Sequence, residues 1–101
     1  MIRIRGNWIT HQVWLDGKHL NPVPSQKVWN HSPSGFNWSY GGSGPAQLSL
    51  AILLKFYPKE EAVTLHQEFK RRHIATLPAE DFDVEIDLDL FREQYRMDFG
   101  R

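Results

Sequence analysis

The sequence predicts a single α+β domain over residues 1–101. A small N-terminal antiparallel sheet packs on a buried central helix, followed by a second amphipathic helix and a short C-terminal strand and helix. Three observations carry this reading. The first 40 residues are short runs of β-formers cut by turn dipeptides; Pro45 to Phe56 is apolar on nearly every side; and Pro58 to His73 has one apolar stripe with acids first and bases last. A chain of 101 residues has material for one core.

In order, Ile2 and Ile4 alternate with Arg3 and Arg5, the period of a half-buried edge strand. Trp8 to Leu15 reads as a second strand, and Asp16-Gly17 suits the type I′ turn of a tight hairpin returning through Lys18 to Leu20. Pro22 and Pro24 fit an edge position, and Gln26 to Trp29 reads as one more short strand. Asn30 to Gly35 is a turn-forming cluster. Pro45 suits the first helical position, with Ser43 or Gly44 as the cap. Leu48, Leu50, Ile52, Leu53 and Phe56 surround that helix with apolar groups, as a buried helix requires. Glu60 and Glu61 open the second helix, Lys70 to Arg72 close it, and Leu77-Pro78 ends it. Phe82, Val84 and Ile86 alternate as a strand, and Asp87 or Asp89 can cap a last helix.

Composition excludes several functions. Without cysteine there is no disulfide, thiolate metal site or cysteine nucleophile. No apolar run approaches the ~20 residues that span a bilayer, so the expectation is a cytoplasmic protein with no membrane partner. The chain is neutral, but residues 1–73 carry nine Lys/Arg against four Asp/Glu and residues 74–101 carry three against eight. Such +5 and −5 halves point first to internal complementarity, with the acidic tail across basic neighbours. Four Trp in so small a chain leave one or two at a surface, where a homodimer or another protein interface would use them.

The unusual stretch is the loop running through Phe36, Asn37, Trp38, Tyr40, Gly41, Gly42, Ser43 and Gly44 into the central helix. One reading is a nest of N–H groups that receives an anion at the positive end of the helix. The other is architectural: glycines supply positive φ and room for Trp38 and Tyr40 to pack over the helix start. Pro45 stands where a phosphate-binding P-loop has lysine, so ATP hydrolysis is not expected. The candidate ligand-binding residues are His31, Asn37, Trp38, Tyr40, Gly41, Gly42, Ser43, Gly44 and Gln47; Gln47 also reads as an amide that satisfies the loop. No catalytic residue, metal site or cofactor is predicted: His31-Ser32 lacks a third group, His66 and His73 lack the i, i+4 metal spacing, and Asp83 to Asp89 lack a calcium loop's glycine.

The run Asn30-His31-Ser32-Pro33-Ser34-Gly35-Phe36-Asn37-Trp38-Ser39-Tyr40-Gly41-Gly42-Ser43-Gly44-Pro45-Ala46-Gln47-Leu48 resembles the signature of a family of small bacterial and phage proteins known as a domain of unknown function. The resemblance continues through Ala51 to Leu53, Phe69-Lys70 and Leu77-Pro78. It departs at Ser39, where the family pattern has glycine, and after Pro78. It implies a domain carried by bacteria and their mobile elements. The expected function is a non-catalytic binding protein for an anionic small molecule such as a nucleotide. An interaction or inhibitor module acting on a host protein is the alternative, and nucleic-acid binding through Arg3, Arg5 and Lys70 to Arg72 is a third.

Overall fold

The computed structural model describes residues 1–100. Strands β1 (Ile2–Gly6), β2 (Val13–Leu15), β3 (Lys18–His19) and β4 (Phe82–Ile86) form one antiparallel sheet in the order β3-β2-β1-β4. Helices α1 (Val23–Val28), α2 (Ser43–Leu53), α3 (Lys59–Phe69) and α4 (Leu88–Phe99) complete the α+β fold, and α3 runs on into a π-helical turn, Lys70–Ile74. One face of the sheet is apolar. Ile2, Ile4, Val13, Leu15, Phe82 and Ile86 share a single core with Trp38, with Leu48, Leu50, Ile52 and Leu53 of α2, and with Phe69 and Phe91. Every residue of α2 from Gly44 to Leu53 is buried, which explains why its sequence has no polar face.

Four expectations need correction. β1 is interior, not an edge, because β4 pairs along its whole length from Ile2↔Ile86 to Gly6↔Phe82. Alternation alone reports that one face is buried; it does not report how many neighbours a strand has. The strand expected from Trp8 begins only at Val13, because Asn7 draws the preceding residues into a turn. Its side-chain oxygen accepts from the N–H groups of Ile9 and Thr10, both at 3.0 Å, and its backbone carbonyl accepts from His11 at 2.7 Å. A local side-chain bond of this kind competes directly with a ladder. Gln26 to Trp29 is largely helical rather than extended: Pro22 is the N-cap of α1, and Pro24 sits where a missing N–H is harmless. Finally, α2 starts two residues earlier than Pro45, with Gly42 as its N-cap, and Lys55 and Phe56 lie in a turn beyond its end. Proline at the third helical position still falls among the N–H groups that have no intrahelical partner.

The hairpin turn has positive φ at both Asp16 (50°) and Gly17 (82°), as type I′ requires. Asp87 caps α4 by accepting from the Leu90 N–H at 3.0 Å. The acidic tail meets basic neighbours where Arg3 grips Asp83 with Nε and Nη2 at 2.8 and 2.5 Å and Arg72 reaches Asp98, while Arg92 to Glu61 at 2.5 Å runs the opposite way. Exposed pairs of this kind are each worth ~0–1 kcal/mol.

Candidate functional site

The loop ahead of α2 is pinned from beneath. Trp38 is fully buried, its indole N–H donates to the Glu80 carbonyl at 3.0 Å, and its ring stands edge-on to Phe82 at 4.8 Å. Ser39 then takes a left-handed φ of 77°, and its N–H donates to the Ile74 carbonyl at 3.1 Å, the end of the π-helical turn. The positive φ thus falls on Ser39 and not on the glycines beside α2, so the conformational role anticipated for Gly41, Gly42 and Gly44 is corrected. Two of them are needed for close approach instead. A Cβ on Gly44 would lie 2.6 Å from the Cβ of Asn37, and one on Gly42 would lie 2.2 Å from the Tyr40 ring. Gly41 meets nothing, and its carbonyl accepts from Lys70 Nζ at 3.2 Å.

This packing leaves a cleft of about 440 Å³ in front of the first turn of α2. Four aliphatic hydroxyl groups line it, from Thr10, Ser32, Ser34 and Ser43, together with the Asn37 amide, the His11 ring and Gly44. Ile9, Phe36 and the half-exposed Tyr40 supply apolar wall, and among the described residues no carboxylate, lysine or arginine lines it. No side chain caps the α2 N-terminus, so the Ser43 and Gly44 N–H groups at the positive end of the helix are not answered by a cap. His11 is held with φ 60° against Trp8 and Trp38, its Nδ1 3.2 Å from the Phe36 carbonyl. With Nδ1–H donating there, Nε2 keeps its lone pair.

Of the nine residues singled out from sequence, the cleft brings together Asn37, Tyr40, Ser43 and Gly44. The other five lie elsewhere. Trp38 is core. Gly41 and Gly42 lie outside the lining. Gln47 is wholly buried and fully used: its oxygen accepts from the His31 and Ser32 N–H groups at 2.8 and 2.9 Å, and its nitrogen donates to Ser25 Oγ at 2.9 Å and to the Trp29 carbonyl at 3.1 Å. Four bonds exhaust a primary amide, so Gln47 has nothing left for a ligand. His31 turns to α3, where its Nε2 lies 3.0 Å from Nε2 of His66. The residues that sequence reasoning missed are Thr10, His11, Ser32 and Ser34. Ser32 and Ser34 stood inside the quoted signature as turn formers; Thr10 and His11 come from a loop 20 residues earlier that only the tertiary fold brings alongside.

Among the described residues no group of three or more His, Asp or Glu side chains is placed to hold a metal ion, and no helix is long and apolar enough to cross a membrane. No curated protein and no solved structure matches the chain. A family model described as a family of unknown function, DUF6166, matches residues 3–95, and the chain belongs to that family.

Proposed function

We propose that this protein is a non-catalytic binding protein for a small anionic ligand of the nucleotide class, held in the cleft before α2. The observation that carries the reading is the uncapped N-terminus of a helix buried from Gly44 onward, opening on a hydroxyl-lined cleft that has no carboxylate among the described residues. Such an end carries about half a positive charge. It receives a phosphate or carboxylate without needing lysine or arginine. Thr10, Ser32, Ser34 and Asn37 offer neutral donors around it, and Tyr40 and Phe36 offer ring faces for a base. The volume suits one such molecule. Among the described residues His11 is the only imidazole in the lining and no carboxylate stands beside it there, so the lining offers no general acid–base pair. The resemblance of residues 30–48 to small bacterial and phage proteins supports a bacterial or phage origin as part of this proposal, and a cytoplasmic setting is compatible with the absence, among the described residues, of a helix long and apolar enough to cross a membrane.

Native mass spectrometry of the purified protein, before and after adding a panel of nucleotides and cyclic nucleotides, tests this. The expected result is a retained or added mass of nucleotide size. Ser43→Asp should abolish it while preserving or raising Tm, because a carboxylate in the first turn suits the helix dipole but repels the ligand. A clean apo mass, indifferent to the panel, ends the reading.

A second reading has its own observation. Ile9 is 91% exposed on the Asn7-braced turn at the cleft rim, and Trp29 is half-exposed, so an interface with a host protein or a second copy has two apolar anchors. The same spectrum reads oligomeric state. Nucleic-acid binding has least support, since Arg3, Arg71 and Arg72 are closed into ion pairs with Asp83, Glu68 and Asp98 and Arg5 lies over the Trp14 ring at 5.0 Å.

A further inference from the structure

The segment Trp29 to Ser34 ends in two residues of the cleft wall, Ser32 and Ser34, and is tied down at two points. Gln47 holds the His31 and Ser32 N–H groups from α2, and the His31 ring bonds to His66 on α3. His66 is fully buried, and its Nδ1 lies 2.6 Å from the Val63 carbonyl. That bond makes Nδ1 the N–H donor and leaves Nε2 as an acceptor. The proton between the rings therefore belongs to His31 Nε2, and His31 Nδ1 carries a lone pair. Trp29 stacks on the His31 ring at 4.3 Å between centroids and stands edge-on to His66 at 5.5 Å.

The two protons such a pair can gain have opposite consequences. The first goes to His31 Nδ1, on the less buried ring, and leaves the His31 Nε2–H to His66 Nε2 bond intact as a charge-assisted one. The second must go to His66 Nε2. It places two N–H groups and two positive charges head-on where a hydrogen bond stood. We propose that the His31–His66 pair is an acid-released latch on the cleft wall, which holds through the first protonation, opens at the second, and thereby lowers ligand affinity in acid. The coupling to affinity rests on the cleft being the ligand site; the latch itself does not.

The surroundings reinforce this. Burial pushes both imidazoles below their ordinary value, Lys70 pushes both further, and His31 adds to the depression of His66. The Val63 carbonyl works the other way on His66. α2 brings no titratable side chain to the pair; of the three α3 carboxylates, Glu60 is exposed in the first turn, and Glu61 and Glu68 are closed into pairs with Arg92 and with Arg71 and Arg72. With both groups depressed below an unfolded value of ~6.5, the pair's stabilisation is complete above that pH and is lost as pH falls through the folded values.

The test is an NMR titration of the wild-type protein from neutral to acid pH, following the imidazole nitrogens and the backbone amides together. The expected result is two steps: His31 gains a proton with the Ser32 and Ser34 amides still, then His66 gains one and those amides move with it while the sheet amides do not. Movement of Ser32 and Ser34 on the first step, no movement on the second, or concerted loss of all amides would each overturn the latch. For any nucleotide that the mass spectra show to bind, Kd should weaken about tenfold per pH unit below the second step. If none binds, the nucleotide reading fails while the amide shifts still decide the latch.

Discussion

Ser43 and Gln47 lie four residues apart on the first turns of the same helix, and they show two opposite uses of a polar side chain. Gln47 points inward, is wholly enclosed, and spends all four of its hydrogen bonds on three backbone groups of the Trp29–Ser32 segment and one serine hydroxyl. Ser43 is exposed, caps nothing, and leaves the helix end open to the cleft. Completeness of bonding, not polarity, separates the residue that builds the loop from the residue available to a ligand. Breaking the inward half should cost stability and breaking the outward half should cost binding.

The largest effect is expected from Gln47→Leu. It removes four bonds at once: the His31 N–H and the Trp29 carbonyl keep each other at 3.1 Å and Ser25 Oγ keeps the Pro22 carbonyl at 2.7 Å, but the Ser32 N–H loses its partner in a buried setting, at ~1–3 kcal/mol for that group on top of the lost bonds. A loss of about 3 kcal/mol overall, read as a lower denaturation midpoint at unchanged slope, is the outcome that matches a structural hub. A near-neutral result would mean that water enters beneath the loop and that Gln47 is closer to the cleft than its enclosure implies.

Next comes Gly44→Ala, which sets a methyl group 2.6 Å from the Asn37 Cβ and 3.1 Å from its backbone nitrogen. Both neighbours are fixed, so we expect a loss of about 1–3 kcal/mol from overpacking. Gly41→Ala, three residues away with nothing within 4 Å, should change stability by less than about 0.5 kcal/mol. Thermal unfolding of the two variants side by side separates a glycine needed for close approach from one that is not. Equal effects would overturn the assignment of the loop's glycines.

These contrasts also mark what could be read from the chain. The apolar circumference of α2, the Asp16-Gly17 turn, the Asp87 cap and the alternation in β1 and β4 are local patterns, and each is present in the fold. The misread elements were decided by bonds that propensity does not contain. Asn7 folds Trp8 to Thr10 into a turn despite β-forming side chains, and the Pro22–Pro24 pair starts a helix where an edge strand was expected. At the site, the stretch from Asn37 to Gly44 was legible because glycine and aromatics are concentrated there. The inward turn of Gln47 and His31 and the arrival of Thr10 and His11 depend on contacts between residues far apart in the chain, which no window of sequence records.

The last expected effect concerns a residue held in left-handed backbone. Ser39 holds φ at 77°, a region that costs a side-chain-bearing residue about 1–2 kcal/mol relative to glycine. Glycine there removes that strain but adds ~0.5–1 kcal/mol of backbone entropy to the unfolded chain. The net gain for Ser39→Gly is therefore a few tenths to about 1 kcal/mol, or an increase of a few degrees in Tm. The N–H that bonds the Ile74 carbonyl survives the change, so the loop keeps its anchor and the cleft its shape. Nucleotide binding in the mass spectra should thus be the same for variant and parent. A fall in Tm would mean that the Ser39 hydroxyl holds part of the loop, moving this position from the strained outward side of the comparison to the satisfied inward one.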